Sequence, residues 1–189
     1  MIQQLAWSVT NLFIRKEEIP AEDGEIYAFG FECMLSTAIQ MVLLFIVGIL
    51  FGRLVEIALY TACFTAIKRH IGGWHADSHF TCISGYTVIA LGAVSLCRVL
   101  PEWASIFFVI IALALVLALA PIPHMNNPKT KTETAHARKV AVGAAIILAT
   151  VICIVLLSPI ASYAVFGACG LFVAAVSLLF DPKERGVPQ

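Results

Sequence analysis

The chain has 189 residues, 60% of them hydrophobic and 13% charged, with twelve Lys and Arg against twelve Asp and Glu. Soluble domains carry roughly 45–50% apolar and about 25% charged residues, so this chain lacks the polar surface needed to wrap a water-soluble core. The balanced charge also leaves no basic face for nucleic acid. A single-domain, all-α, polytopic membrane protein is the class that remains, because backbone groups in a bilayer must be satisfied within each segment.

Residues 1–19 (MIQQLAWSVTNLFIRKEEI) place Leu5, Val9, Leu12 and Phe13 on one helical face. That spacing predicts an amphipathic helix lying in the membrane interface, with a packed core helix as the other reading. The same stretch carries Arg15, Lys16, Glu17 and Glu18 and no small-residue cleavage site, so no cleavable signal peptide is expected. Pro20, Asp23 and Gly24 then break the chain.

Six apolar runs follow, each read as a transmembrane helix. They are Tyr27 to Phe51, Leu54 to Ile67 (short), Ile83 to Leu100, Trp103 to Ile122, Val140 to Leu157 and Ile160 to Phe180. The first contains Glu32 and the second Glu56, and carboxylates inside a membrane are functional suspects. Residues 124–139 (HMNNPKTKTETAHARK) are read as a hydrophilic loop.

Charge orients these spans. With the N-terminus on the cytoplasmic side, only Arg53 and Arg98 of the twelve basic residues fall toward the other face. Arg15, Lys16, Lys68, Arg69, Lys129, Lys131, Arg138, Lys139, Lys183 and Arg185 all fall inside. The asymmetry predicts cytoplasmic termini and a cytoplasmic 124–139 loop.

The polar island between the second and third runs, Lys68 to Cys82 (KRHIGGWHADSHFTC), faces the same side and holds three of the five histidines. Five of the six cysteines sit inside apolar runs, where a thiol packs as a small hydrophobe. Cys82 is the exception. A thiol becomes a strong nucleophile when a neighbouring imidazole takes its proton, and His75 lies seven residues before it. An unbroken helix would hold the two on one face but about 10 Å apart along the axis, so a dyad requires the backbone to turn. Asp77, Glu32 and Glu56 are candidates to orient the imidazole. Backbone N–H groups near Gly73 or Cys82 are candidates for an oxyanion hole. A metal reading competes, because His75 and His79 stand at i, i+4 with His70, Asp77 and Cys82 nearby, although Ala76 occupies the place where a metalloprotease helix carries Glu. A plain interfacial loop anchored by Trp74 is the third reading.

The segment also resembles the accessory gene regulator protein B (AgrB) family, membrane cysteine endopeptidases of quorum-sensing systems. Two basic residues, Gly-Gly, one residue, His-Ala, and Cys seven after the His match at Lys68, Arg69, Gly72, Gly73, His75, Ala76 and Cys82. Length, six-span layout, N-terminal helix and the loop opening at Ala120-Pro121 extend the likeness across most of the chain as one domain, 1–189. Lys68 stands where many relatives have Arg, which keeps the charge but not the bidentate geometry.

The resemblance implies His75 as base, Cys82 as nucleophile and no cofactor or metal. It implies an AgrD-type precursor peptide as substrate, cut through an acyl-enzyme thioester that a precursor cysteine converts to a thiolactone. It further implies a bacterial cell-membrane location, a homodimer, and Lys68, Arg69, Lys129 and Lys131 as ligands for the precursor's acidic tail. The positive-inside pattern alone also accounts for those lysines and the arginine. A small-peptide exporter is the alternative from another class.

Overall fold

The computed structural model describes residues 2–16, 18–71, 79–121 and 131–180. Among them the chain is helical throughout, with seven α-helices and no strand: α1 (Ile2–Arg15), α2 (Gly24–Leu50), α3 (Leu54–Ile71), α4 (His79–Cys97), α5 (Ala104–Leu119), α6 (Lys131–Leu156) and α7 (Ala164–Val176). Short 3-10 turns precede α2 and flank α7. Among the described residues, four segments are long and apolar enough to cross a membrane: Ala21–Leu50, Phe80–Cys97, Thr134–Leu156 and Ala161–Phe180. α5 is apolar but has only 16 residues, about 24 Å, against a hydrocarbon core of about 30 Å. α3 carries Glu56 in its first turn and Lys68, Arg69 and His70 in its last.

Those charges explain why α3 runs four residues past the expected end at Ile67. A carboxylate at the N-terminus and cations at the C-terminus complement the helix dipole, so the helix continues where hydropathy falls. α6 departs from expectation in the same way. It begins at Lys131, inside the stretch read as a loop, because Thr-Glu-Thr-Ala-His-Ala-Arg-Lys is rich in helix-forming residues.

The α2–α3 corner shows how one glycine sets a helix hairpin. Gly52 takes φ 61°, Arg53 N–H bonds the Gly48 carbonyl at 2.7 Å, and Gly52 N–H bonds that of Ile49 at 3.0 Å. This 6→1, 5→2 pair closes the end of α2 and sends α3 back along it.

α7 is the hub. Ala168, Leu171, Ala174 and Ala175 are fully buried, with α3, α5 and α6 packed around them. Its small residues let other backbones come close: a β-carbon on Gly167 would lie 3.2 Å from Cys63 Sγ. Phe108 of α5 stacks on Phe172 of α7 at 5.1 Å.

α1 and α2 form the periphery. Ala6 and Thr10 of α1 are buried, Phe13 stacks on Phe31 of α2 at 5.6 Å, and Leu5, Val9 and Leu12 stay exposed. The face expected to be uniform is therefore divided, with Phe13 turned to α2 and the other three turned outward. Ile26, Phe29, Met34, Val42 and Leu50 of α2 are also exposed.

Candidate active site

Cys82 lies in the first turn of α4, half-buried. Stepping along the helix by four and then three residues gives Tyr86, Ala90, Val94 and Cys97, one stripe on the face Cys82 occupies. Ala90, Val94 and Cys97 are at most 2% exposed. Tyr86 packs its ring on Phe64 of α3, with centroids 4.6 Å apart, and Cys97 Sγ lies 3.9 Å from the Val165 carbonyl of α7. The stripe therefore faces the bundle interior, and Cys82 is its outermost member.

The helix ends sort into two groups. At one end, Cys97, Arg98, Glu102, Tyr163 and Glu56 line a cavity of about 230 Å³. At the other end Cys82 opens α4 and Lys68 closes α3. There Lys68 Nζ donates to Ser177 Oγ at 2.8 Å, and Arg138 Nη2 donates to the Leu117 carbonyl at 2.9 Å. Arg69, Arg138 and Lys139 are exposed at this Cys82 end. α2 runs antiparallel to α3, with Gly48 against Leu54, which brings α1 with Arg15 and Lys16 to the same end.

This sorting separates the candidate carboxylates. Glu56 shares its cavity with Cys97, fifteen residues and about 22 Å along α4 from Cys82. It is not a neighbour of the thiol. Glu32, half-buried on α2, lies sixteen residues before Gly48, about 24 Å along the axis, which sets it level with the last turn of α3 at the Cys82 end.

His75, Asp77 and Gly73 lie outside the described residues, as does Lys129. His79 opens α4 and Lys131 opens α6. α3 and α4 are separate helices packed side by side. Among the described residues no group of three His, Cys, Asp or Glu could hold a metal ion. Of the histidines of the metal alternative, His75 lies outside them.

A buried polar cluster sits deeper on the Cys82 stripe. Tyr60, Phe64 and Tyr86 pack together, with centroids 6.1 Å (Tyr60–Phe64), 6.2 Å (Tyr60–Tyr86) and 4.6 Å (Phe64–Tyr86) apart. Among the described residues the hydroxyls of Tyr60, Thr61 and Tyr86 are buried without a hydrogen-bond partner. Leaving such a group unmet costs about 1–3 kcal/mol. Sequence reading passed over all three. Tyr86, four residues after Cys82, could have been found by helical arithmetic. Tyr60 and Thr61 could not, because their place depends on which helices pair.

The Accessory gene regulator B family matches residues 6–179, nearly the whole chain. The chain belongs to the AgrB family. Its members take part in agr quorum sensing, where they process an AgrD-type precursor peptide. No curated protein and no solved structure gives a significant match.

Proposed function

We propose that this AgrB-family chain is a membrane cysteine endopeptidase that cleaves an AgrD-type precursor and closes the fragment it retains into a thiolactone. The observation that carries the reading is the position of Cys82. It is a half-buried thiol at the outer end of an inward-facing stripe, seven residues after His75 in the sequence, with exposed cations around that end of the bundle.

In this mechanism His75 takes the Cys82 proton and the thiolate attacks the scissile carbonyl. The tetrahedral oxyanion is met by backbone N–H groups near Gly73 or Cys82. As the C–N bond breaks, the imidazolium returns its proton to the departing amine, and the precursor's C-terminal part leaves. Asp77 or Glu32 orients the imidazole. The acyl group now sits on Cys82 as a thioester. A cysteine thiol of the precursor attacks it, forming the ring thioester and freeing Cys82. One thioester replaces another, so no high-energy cofactor is required. Water must be kept out, because hydrolysis of the acyl-enzyme would end the sequence before ring closure.

In the membrane, α2 to α7 form six spans with the Cys82 end toward the cytoplasm. α1 lies at the interface, where Leu5, Val9 and Leu12 meet lipid. Lys68, Arg69, Lys129 and Lys131 draw the acidic tail of the precursor to that face. Cleavage of a synthetic AgrD-type peptide by purified protein in nanodiscs tests the reading. Wild type should release the tail, and His75→Ala and Cys82→Ala should not. Undiminished release by either variant would refute it.

A further inference from the structure

Five threonines on the helices, Thr10, Thr37, Thr65, Thr87 and Thr150, donate their hydroxyls to the carbonyl four residues back. Thr61 does not, although it is only 7% exposed and its oxygen has no partner among the described residues. The Thr61 and Tyr86 hydroxyls lie near enough to act on each other, yet neither makes a hydrogen bond of normal length and angle among the described residues. Tyr60, fully buried, brings a third orphaned hydroxyl to the same cluster. Phe64 fills the remaining position with no hydroxyl, so packing alone does not demand these oxygens. Orphans of this kind mark a missing partner.

The cluster joins two features. On one side Tyr86 lies a single turn from Cys82 on the inward stripe. On the other, Thr61 lines an apolar groove of about 320 Å³ between α2 and α3, with Met41, Leu44, Phe45 and Ile57. Phe45 is 55% exposed, so the groove opens at the flank of the bundle.

We infer that the hydroxyls of Tyr60, Thr61 and Tyr86 form a peptide-binding subsite: they hydrogen-bond the backbone of the precursor segment carried on Cys82, while apolar side chains of that segment fill the α2–α3 groove. The inference rests on Cys82 as the nucleophile. A peptide backbone offers both donors and acceptors, as hydroxyls do, whereas a lipid acyl chain offers neither. Binding there keeps the acyl segment on the interior side of the thiol.

The test measures binding of a fluorescein-labelled synthetic AgrD-type precursor to the Cys82→Ala protein in nanodiscs, which removes cleavage from the readout. Adding Tyr86→Phe or Thr61→Val should raise Kd about five- to tenfold each, the loss of one hydrogen bond. Thr61→Ser, which keeps the hydroxyl, should bind like its Cys82→Ala parent. Thr150→Val, which removes an exposed and already bonded hydroxyl, should also leave Kd unchanged. On Cys82-containing protein, Tyr86→Phe should raise KM without slowing alkylation of Cys82 and without lowering the unfolding temperature. Unchanged Kd in both Tyr86→Phe and Thr61→Val would mean that the hydroxyls hold water only, and would overturn the subsite. Should wild type form no acyl adduct while Kd still depends on Tyr86 and Thr61, the endopeptidase reading falls, and the hydroxyls bind the precursor non-covalently rather than as a segment carried on Cys82.

Discussion

Lys68 Nζ donates a 2.8 Å hydrogen bond to Ser177 Oγ, which ties the last turn of α3 to the end of α7. Ser177 gives its own proton to the Ala174 carbonyl at 2.6 Å and so meets the ammonium with a lone pair. Part of the positive charge next to the candidate site is thus held in place rather than left swinging in solvent. Lys68→Met should lower precursor cleavage about tenfold, the scale of a lost charged hydrogen bond. Lys68→Arg, which can still donate to Ser177, should stay within about threefold of wild type. Initial rates on a synthetic precursor check this, and equal rates for Lys68→Met and wild type would remove Lys68 from the account.

The hub helix makes a second prediction. A β-carbon on Gly170 would lie 3.0 Å from the Tyr60 carbonyl carbon and closer still to its oxygen. The obstacle is backbone, so α3 and α7 must separate. Gly170→Ala should cost about 1–3 kcal/mol in stability, the range for overpacking a well-filled core. Gly143→Ala meets open space and should be neutral or slightly stabilising, because alanine is the better helix former. Thermal unfolding in a fixed detergent separates the two cases.

The cysteines differ enough in burial to be told apart by labelling. Cys97 and Cys169 are 2% and 5% exposed, whereas Cys82 is half-buried. In folded protein a small maleimide should modify Cys82 and spare Cys97 and Cys169 until denaturant is added. An AgrD-type peptide should protect Cys82. Peptide mapping reads each site, and labelling of Cys97 as fast as Cys82 would contradict the inward-facing stripe.

Glu56 supplies a test by separation. Its cavity, shared with Arg98 and Glu102, lies at the far end of the bundle from Cys82. Glu56→Gln should therefore keep kcat/KM for precursor cleavage within about twofold of wild type. A loss of a hundredfold or more would mean that Glu56 acts on the chemistry and that the two ends are coupled.

Much of this arrangement can be read from sequence, and the exceptions have physical causes. Apolar runs separated by Pro20, Gly52-Arg53 and Ser158-Pro159 locate the long helices, because bilayer-length runs and chain breakers are local signals. Helix ends are harder wherever polar residues continue a helix. Lys68, Arg69 and His70 look like loop and are the last turn of α3, and Lys131 to Lys139 looks like loop and is the start of α6. Cys82 is conspicuous because polar neighbours surround it. Ser177 and Thr61 are not, since a lone hydroxyl in an apolar run carries no local mark. Only the packing of α3 on α7 and on α4 gives those two residues meaning.

The central claim is that Cys82 carries the acyl group. Wild-type protein in nanodiscs, incubated briefly with a synthetic AgrD-type precursor and quenched in acid, should yield a Cys82 peptide heavier by the retained fragment. The adduct should be released by hydroxylamine, as a thioester is, and absent from Cys82→Ala and His75→Ala. Tail release by Cys82→Ala at the wild-type rate, with no adduct on any cysteine, would contradict the account.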